Sequence, residues 1–107
     1  MSKPAVVQRQ GDRMLVSGPL TLATVAGALR EGSDAIAMGA REIDLGGVEE
    51  LDSSALALLL AWLRAARGRD RDLSFARLPA GLTTIAELYG VAALLPGAAS
   101  STAPAHH

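Results

Sequence analysis

The apolar residues near the start of the chain fall in two short segments that predict β-strands. These segments are AVVQRQ (residues 5–10) and RMLVSG (residues 13–18), and each is rich in residues that favour strands. Gly11 and Asp12 lie between them and favour a tight turn. The pattern predicts an antiparallel β-hairpin.

The next segment has apolar residues close to helical spacing. They are Leu22, Val25, Ala26, Leu29, Ile36 and Met38. We expect a helix that ends near Gly39. Gly27 and Gly32 weaken the prediction of one unbroken helix, because glycine in a helix interior costs about 1 kcal/mol relative to alanine.

A short third strand is predicted where Ile43 and Leu45 lie on one side of the segment REIDLGG. Gly46 and Gly47 are expected to end this strand. A loop then leads to the segment LDSSALALLLAWLRAAR (residues 51–67), which predicts a helix.

The last part of the chain repeats this alternation. DLSFA (residues 72–76) predicts a fourth strand, and LTTIAELYGVAALL (residues 82–95) predicts an amphipathic helix that is broken near Gly90. The resulting order, β-β-α-β-α-β-α, indicates an α/β domain with a mixed β-sheet and helices packed on one face. We expect one domain over residues 1–97 and a disordered tail of small residues over 98–107, which includes His106 and His107.

The predicted helix of residues 51–67 is apolar on more than one side. A stripe that faces the sheet consists of Leu56, Leu59, Leu60 and Leu63. Leu58 and Trp62 lie about 160° and 120° away from Leu56 around the helix axis, so they form a second apolar face. Either a neighbouring helix of the same domain covers them, or they form a partner-binding surface with Trp62 as its anchor.

Three polar residues, Asp52, Ser53 and Ser54, lie at the start of this segment. Asp52 or Ser53 is expected to cap the helix by accepting hydrogen bonds from its first free backbone N–H groups. Since two hydroxyls follow each other, at least one is free, and a phosphate on it would meet the positive end of the helix dipole. Such a phosphate would disturb any partner docked there.

Composition argues against several classes of function. The formal net charge is −1, there is no cysteine, and Lys3 is the only lysine, which excludes a lysine-containing phosphate loop and disfavours a basic nucleic-acid surface. Residues 1–105 contain no histidine, so a serine-histidine-aspartate site would have to recruit a histidine of the tail. We therefore expect no enzymatic activity, no cofactor, no metal site and a cytosolic location.

The segment EIDLGGVEELDSSALALLLAWLRAAR (residues 42–67) resembles the signature of STAS domains. In that family a short strand with an Asp-Leu end is followed by a loop and by Asp-Ser or Asp-Thr at the start of a helix. The resemblance covers residues 5–96, and it implies the element order given above.

Two branches of this family are similar to the chain. In anti-sigma factor antagonists a kinase-like anti-sigma partner phosphorylates the first hydroxyl residue, which corresponds to Ser53, although Ala55 and Ala57 stand where that branch prefers glycine. In the MlaB branch, the sequences LALLL (residues 56–60) and ELYGVAALLP (residues 87–96) have counterparts.

Similarity to the MlaB branch, which we favour, implies a non-enzymatic cytoplasmic subunit, peripheral to the inner membrane of Gram-negative bacteria. It would bind an ABC transporter ATPase subunit (MlaF-like) in complex with a permease, and so support the phospholipid transport that maintains outer-membrane asymmetry. Ser53, flanked by Asp52 and Ser54, would contact the ATPase. The rest of the surface would come from three residues: Leu58, Trp62 and Tyr89. Alternatively, Tyr89 is a half-buried residue at the rim of the core.

Overall fold

The computed structural model of the protein describes residues 3–95. Its first two strands form the predicted hairpin, in which β1 (Val6–Gln10) pairs antiparallel with β2 (Arg13–Leu20). Gly11 lies in the turn with a φ of 64°, a left-handed conformation that glycine adopts without steric cost. The hairpin prediction is confirmed.

A four-stranded sheet of order β1-β2-β3-β4 forms the centre of the fold. Strand β3 (Glu42–Leu51) pairs parallel with β2, and the short β4 (Ser74–Ala76) pairs parallel with β3. Helices α1 (Val25–Ala37) and α2 (Ser53–Arg67) connect these parallel strands. Right-handed crossovers between adjacent strands place both helices on the same face of the sheet.

Helix α3 (Ala80–Leu88) follows β4 and is continued by a short 3₁₀ helix (Ala92–Leu94). The break between them lies at Gly90, whose φ of 73° ends the helix as predicted. The observed order confirms the expected β-β-α-β-α-β-α fold. The proposed domain end at residue 97, the tail over 98–107 and its two histidines lie outside the described residues.

The core lies between the sheet and the three helices. Met14, Ile43 and Phe75, neighbours in register on three strands, are buried on the helix side of the sheet. Leu56 and Leu59 of α2 are buried against this layer. The other two leucines of the predicted stripe, Leu60 and Leu63, are partly buried and also pack on the core.

The prediction that Gly46 and Gly47 end the third strand is wrong. Strand β3 continues through both glycines to Leu51, because the long β2 supplies pairing partners along its whole length. Gly47 is needed within the strand, since a Cβ at this position would lie 2.7 Å from Cβ of Ser17. The register with β2 shifts in this region, so the glycines accommodate an irregularity within the strand.

Helix α1 is unbroken despite Gly27 and Gly32, and it ends just before Gly39, as expected. It begins at Val25, so the assignment of Leu22 to the helix is wrong, and Leu22 lies in the preceding turn. Met38 follows the helix end and is also exposed. Both residues were expected to be apolar members of the helix.

Candidate functional site

The hydroxyl-rich motif lies at the start of α2, directly after the end of β3. Asp52 is the N-cap: its backbone is extended and its Oδ1 accepts a hydrogen bond from the backbone N–H of Ser54 (2.8 Å). Of the two expected caps, Asp52 therefore has this role. Ser53 is the first helical residue and its side chain is not needed to start the helix.

Asp52 also joins α2 to the turn between β2 and α1. Its Oδ2 accepts a hydrogen bond from the backbone N–H of Leu22 (3.1 Å), and its own N–H donates to the carbonyl oxygen of Leu20 (3.2 Å). Hydrogen bonds from Leu22 and Ser54 hold the pKa of the Asp52 carboxyl below its usual range. The carboxylate is thus ionised at neutral pH and connects two segments at this end of the sheet.

The turn over residues 21–24 is itself well ordered by hydrogen bonds. The hydroxyl of Thr24 accepts from the N–H of Thr21 (3.0 Å) and donates to the carbonyl oxygen of Pro19 (2.8 Å). Leu22 lies in this turn with 77% of its surface exposed. A large apolar side chain is therefore displayed in the turn that Asp52 ties to the start of α2.

The two serines differ in their surroundings. Ser54 is half-buried, and both its backbone N–H and its hydroxyl interact with Asp52. Ser53 is exposed, and its hydroxyl forms no hydrogen bond with the rest of residues 3–95. The free hydroxyl of this motif is that of Ser53.

The helix dipole favours an anion at Ser53. The first turn of α2 has no acidic residue, whereas Arg64 and Arg67 lie in its last turn, where cations are favourable. The ionised Asp52 opposes a second negative charge beside it. A phosphate at Ser53 would thus meet both an attractive helix end and a repulsive carboxylate.

Leu58 and Trp62 do not form an open surface. Their exposed fractions are 3% and 0%, because α1 covers this face of α2. The Trp62 indole lies over Gly32, and its Nε1 donates a weak hydrogen bond to the carbonyl oxygen of Leu29 (3.4 Å). The hypothesis that these two residues contact a partner is therefore wrong for the folded domain, and the alternative of a neighbouring helix is correct.

Tyr89 is 64% exposed, more than the half-buried rim position predicted as the alternative. It lies directly after the end of α3, whereas Gly81 at the start of α3 is near Leu51 and hence near Asp52. A nine-residue helix separates the two ends by about 13 Å. Tyr89 is therefore accessible to a partner, and its place in one surface with Ser53 stays a prediction.

Sequence reasoning did not single out Asp44, which is only 2% exposed. It lies on the sheet face opposite the helices, since its neighbour Ile43 points into the core. Arg77 donates to both carboxylate oxygens (2.9 Å each), Arg13 donates to Oδ2 (2.7 Å), and the N–H of Gly46 donates to Oδ1 (2.9 Å). The sequence feature that indicates this cluster is an aspartate between two apolar residues of a predicted strand.

These contacts satisfy the Asp44 carboxylate. The hydrogen bonds from Arg77 lower its pKa most, burial opposes this shift, and the N–H of Gly46 and the charges of both arginines lower the pKa further. The carboxylate has no open side for a ligand. We assign a structural role to this cluster, which joins β2 and β3 to the residue that follows β4.

Two classes of site are not found among the described residues. Over residues 3–95, no three His, Cys, Asp or Glu side chains are grouped in a way that could hold a metal ion. In the same part of the chain, no helix has both the length and the apolar character needed to cross a membrane.

Comparison with solved structures supports the fold. The chain is similar to the anti-sigma factor antagonist SpoIIAA in its unphosphorylated form, with a TM-score of 0.65 and 15% identity over 85% of this chain and 84% of that chain. It is also similar to the Bacillus cell fate determinant SpoIIAA in the phosphorylated form (TM-score 0.62, 14% identity, 85% and 87% covered). An anti-sigma-factor antagonist (STAS) domain protein from Planctomyces limnophilus gives a TM-score of 0.66 at 18% identity, with 88% of each chain covered.

Comparison of sequences is more specific. No curated protein matches the chain at a significant level. The model of the family described as Mlab, STAS domain, matches residues 6–96. Because this match includes most of the chain, the protein belongs to the MlaB-type STAS domain family.

Proposed function

We propose that this protein is a non-enzymatic subunit that binds an MlaF-like ATPase of a phospholipid ABC transporter while that ATPase is in complex with its permease. In this role it stabilises or regulates the ATPase from the cytoplasmic side of the inner membrane. It contributes in this way to outer-membrane lipid asymmetry. The family match supports a transporter subunit over other uses of the fold.

The observation that carries this proposal is the free, exposed Ser53 hydroxyl at the start of α2. The carboxylate of Asp52 fixes both this helix end and the turn that displays Leu22. A surface whose backbone is already ordered loses little conformational entropy on binding. A small polar residue and a leucine held by the same carboxylate form a suitable contact for a protein partner.

The interactions of the two carboxylates at this site support a binding role without catalysis. The buried Asp44 carboxylate is neutralised by Arg13 and Arg77, and the Asp52 carboxylate accepts backbone hydrogen bonds. The carboxylate beside Ser53, that of Asp52, is engaged by these backbone groups, and no base among residues 3–95 forms a hydrogen bond with the Ser53 hydroxyl. The site thus offers contact groups and no activated nucleophile.

The test is a binding measurement between the purified protein and a purified MlaF-like ATPase–permease complex. Ser53→Arg is expected to abolish binding, because a long charged side chain would occupy the contact, and to leave the thermal midpoint nearly unchanged. Thr84→Arg is the matched control, since Thr84 is an exposed residue of α3. Equal binding by wild type and Ser53→Arg would contradict the proposal.

A second candidate is an anti-sigma factor antagonist controlled by phosphorylation of Ser53. The free hydroxyl at a helix N-terminus favours it, and the similar fold of SpoIIAA is known in a phosphorylated form. Intact-mass analysis of the protein from its native host would detect such a phosphate. If Ser53 carries phosphate and the protein binds a kinase-like partner instead of the ATPase, this second function replaces the first.

A further inference from the structure

Strand β3 extends well beyond the strand that covers its outer edge. Strand β4 pairs only with residues 42–44 of β3 and ends at Ala76, whereas β2 pairs with β3 as far as Leu51. The chain leaves the sheet at Arg77, whose φ of 53° turns the backbone away. The Arg77 guanidinium covers the face of the sheet at Gly46, and Gly81 at the start of α3 lies near the Leu51 side chain, but no strand pairs with the outer edge of β3 beyond Asp44.

The outer edge of residues 47–51, which pairs with no strand among residues 3–95, has unused hydrogen-bonding capacity. In a parallel pair, a strand bonds to its neighbour through alternate residues, and the backbone groups between them point to the other edge. Within residues 3–95, no backbone hydrogen bond joins 47–51 to any segment other than β2. Three of the five residues, Gly47, Glu49 and Glu50, are exposed.

The negative charge on this edge favours one class of binding partner. Glu49 and Glu50 are both acidic, and Glu49 already binds the ammonium group of Lys3 through both carboxylate oxygens (3.0 and 3.1 Å). A second copy of the chain added at the same edge would bring two like charges towards these carboxylates. A basic segment would instead add ion pairs to the backbone hydrogen bonds.

We propose that the free edge of β3 binds an extended, basic segment of a partner protein by strand addition. The added segment lies beyond the end of β4 and runs over about 16 Å, the length of five strand residues. Backbone hydrogen bonds supply the attachment, and Glu50, which has no ion pair among residues 3–95, selects a lysine or arginine side chain. The edge ends at Leu51, next to the cap of α2, but this binding does not depend on the identity of the partner at Ser53.

The test uses a synthetic peptide of about nine residues that alternates lysine with valine or threonine. It is titrated into the ¹⁵N-labelled protein and followed by NMR. We expect the largest amide shifts at residues 47–51. Glu50→Lys should weaken binding by about tenfold or more, whereas Glu87→Lys, the same charge change on the exposed face of α3, should retain it.

Two modified peptides separate strand pairing from charge attraction. Each is methylated on alternate backbone nitrogens, one on the odd and one on the even positions. Because an added strand pairs through one edge only, one isomer should lose binding and the other should keep it. Equal binding by both isomers, shifts away from residues 47–51, or no binding of the parent peptide would overturn the proposal.

Discussion

The indole ring of Trp62 occupies the space that a side chain on Gly32 would need. The tryptophan is completely buried, and its ring N–H reaches the carbonyl oxygen of Leu29 one turn earlier in α1. This relationship explains both the glycine within α1 and the second apolar face of α2. The two helices meet through a large residue on one and the absence of a side chain on the other.

Trp62→Ala is therefore expected to reduce stability rather than partner contact. Truncation of a buried tryptophan leaves a cavity and typically costs about 3–5 kcal/mol. Urea denaturation should show this loss in the free energy of unfolding. A loss below about 1 kcal/mol would contradict the buried position, since surface substitutions usually have effects of that size or smaller.

Two glycines of α1 provide a matched pair of substitutions. Gly32→Ala should destabilise the protein by about 1–3 kcal/mol, because its methyl group overlaps the Trp62 ring. Gly27→Ala has open space around the new methyl group and should stabilise the protein by about 0.5–1 kcal/mol. Thermal denaturation of both variants measures the difference, and equal midpoints would show that Trp62 does not restrict Gly32.

Helix α1 and strand β3, which both contain glycines, show which features of the fold can be predicted from the sequence. Periodicity identified α1, the hairpin and the element order, because each depends on local spacing. It places the end of the third strand at Gly46 and Gly47, because the partner that continues the strand, β2, is distant in sequence. The burial of Trp62 could not be predicted for the same reason, because the residue on which its ring packs, Gly32, is in another helix.

The candidate site was predicted in part for the same reason. Asp52 was identified as a possible cap from its place before an apolar run, which is a local signal. Its second bond, to the N–H of Leu22, joins residues thirty positions apart and has no sequence pattern of its own. Asp44 was missed because its two arginines come from separate strands and loops.

The ion pairs of Asp44 should make stability depend on pH. The folded-state pKa of this carboxyl is lowered, so its contribution is fully present above about pH 4, the ordinary range of an unfolded aspartate. As the pH falls through the lower folded-state pKa, the contribution is lost. Urea denaturation at a series of pH values is expected to show this decrease.

Asp44→Asn tests the source of that dependence. It keeps the shape but removes the charge, so we expect a loss of about 1–3 kcal/mol at neutral pH. The difference from wild type should shrink as the pH falls below about 4. Asp34→Asn, at an exposed carboxylate of α1 without an ion pair among residues 3–95, should cost little at neutral pH. A constant difference at all pH values would show that the charge of Asp44 is not responsible.

Arg77 combines a favourable side chain with an unfavourable backbone. Its guanidinium binds Asp44 through two hydrogen bonds, while its φ of 53° is a conformation that residues other than glycine rarely adopt. Arg77→Ala loses the ion pair and keeps the strain, whereas Arg77→Gly loses the ion pair and relieves the strain. The thermal midpoints should therefore follow the order wild type, Arg77→Gly, Arg77→Ala. An alanine variant as stable as the glycine variant would exclude strain at this position.

Asp52 and Ser53 are adjacent, but substitutions at the two positions should separate stability from binding. Asp52→Ala removes the cap and the bond to Leu22, so it should lower the thermal midpoint by a few degrees and also weaken binding of the ATPase complex. Asp52→Asn should recover much of the stability, since asparagine caps helices about as well as aspartate. Ser53→Ala should leave the midpoint unchanged, because its hydroxyl bonds to none of residues 3–95. If Ser53→Ala also unfolds more easily, Ser53 has a structural role, and its proposed place in the contact would need a different explanation.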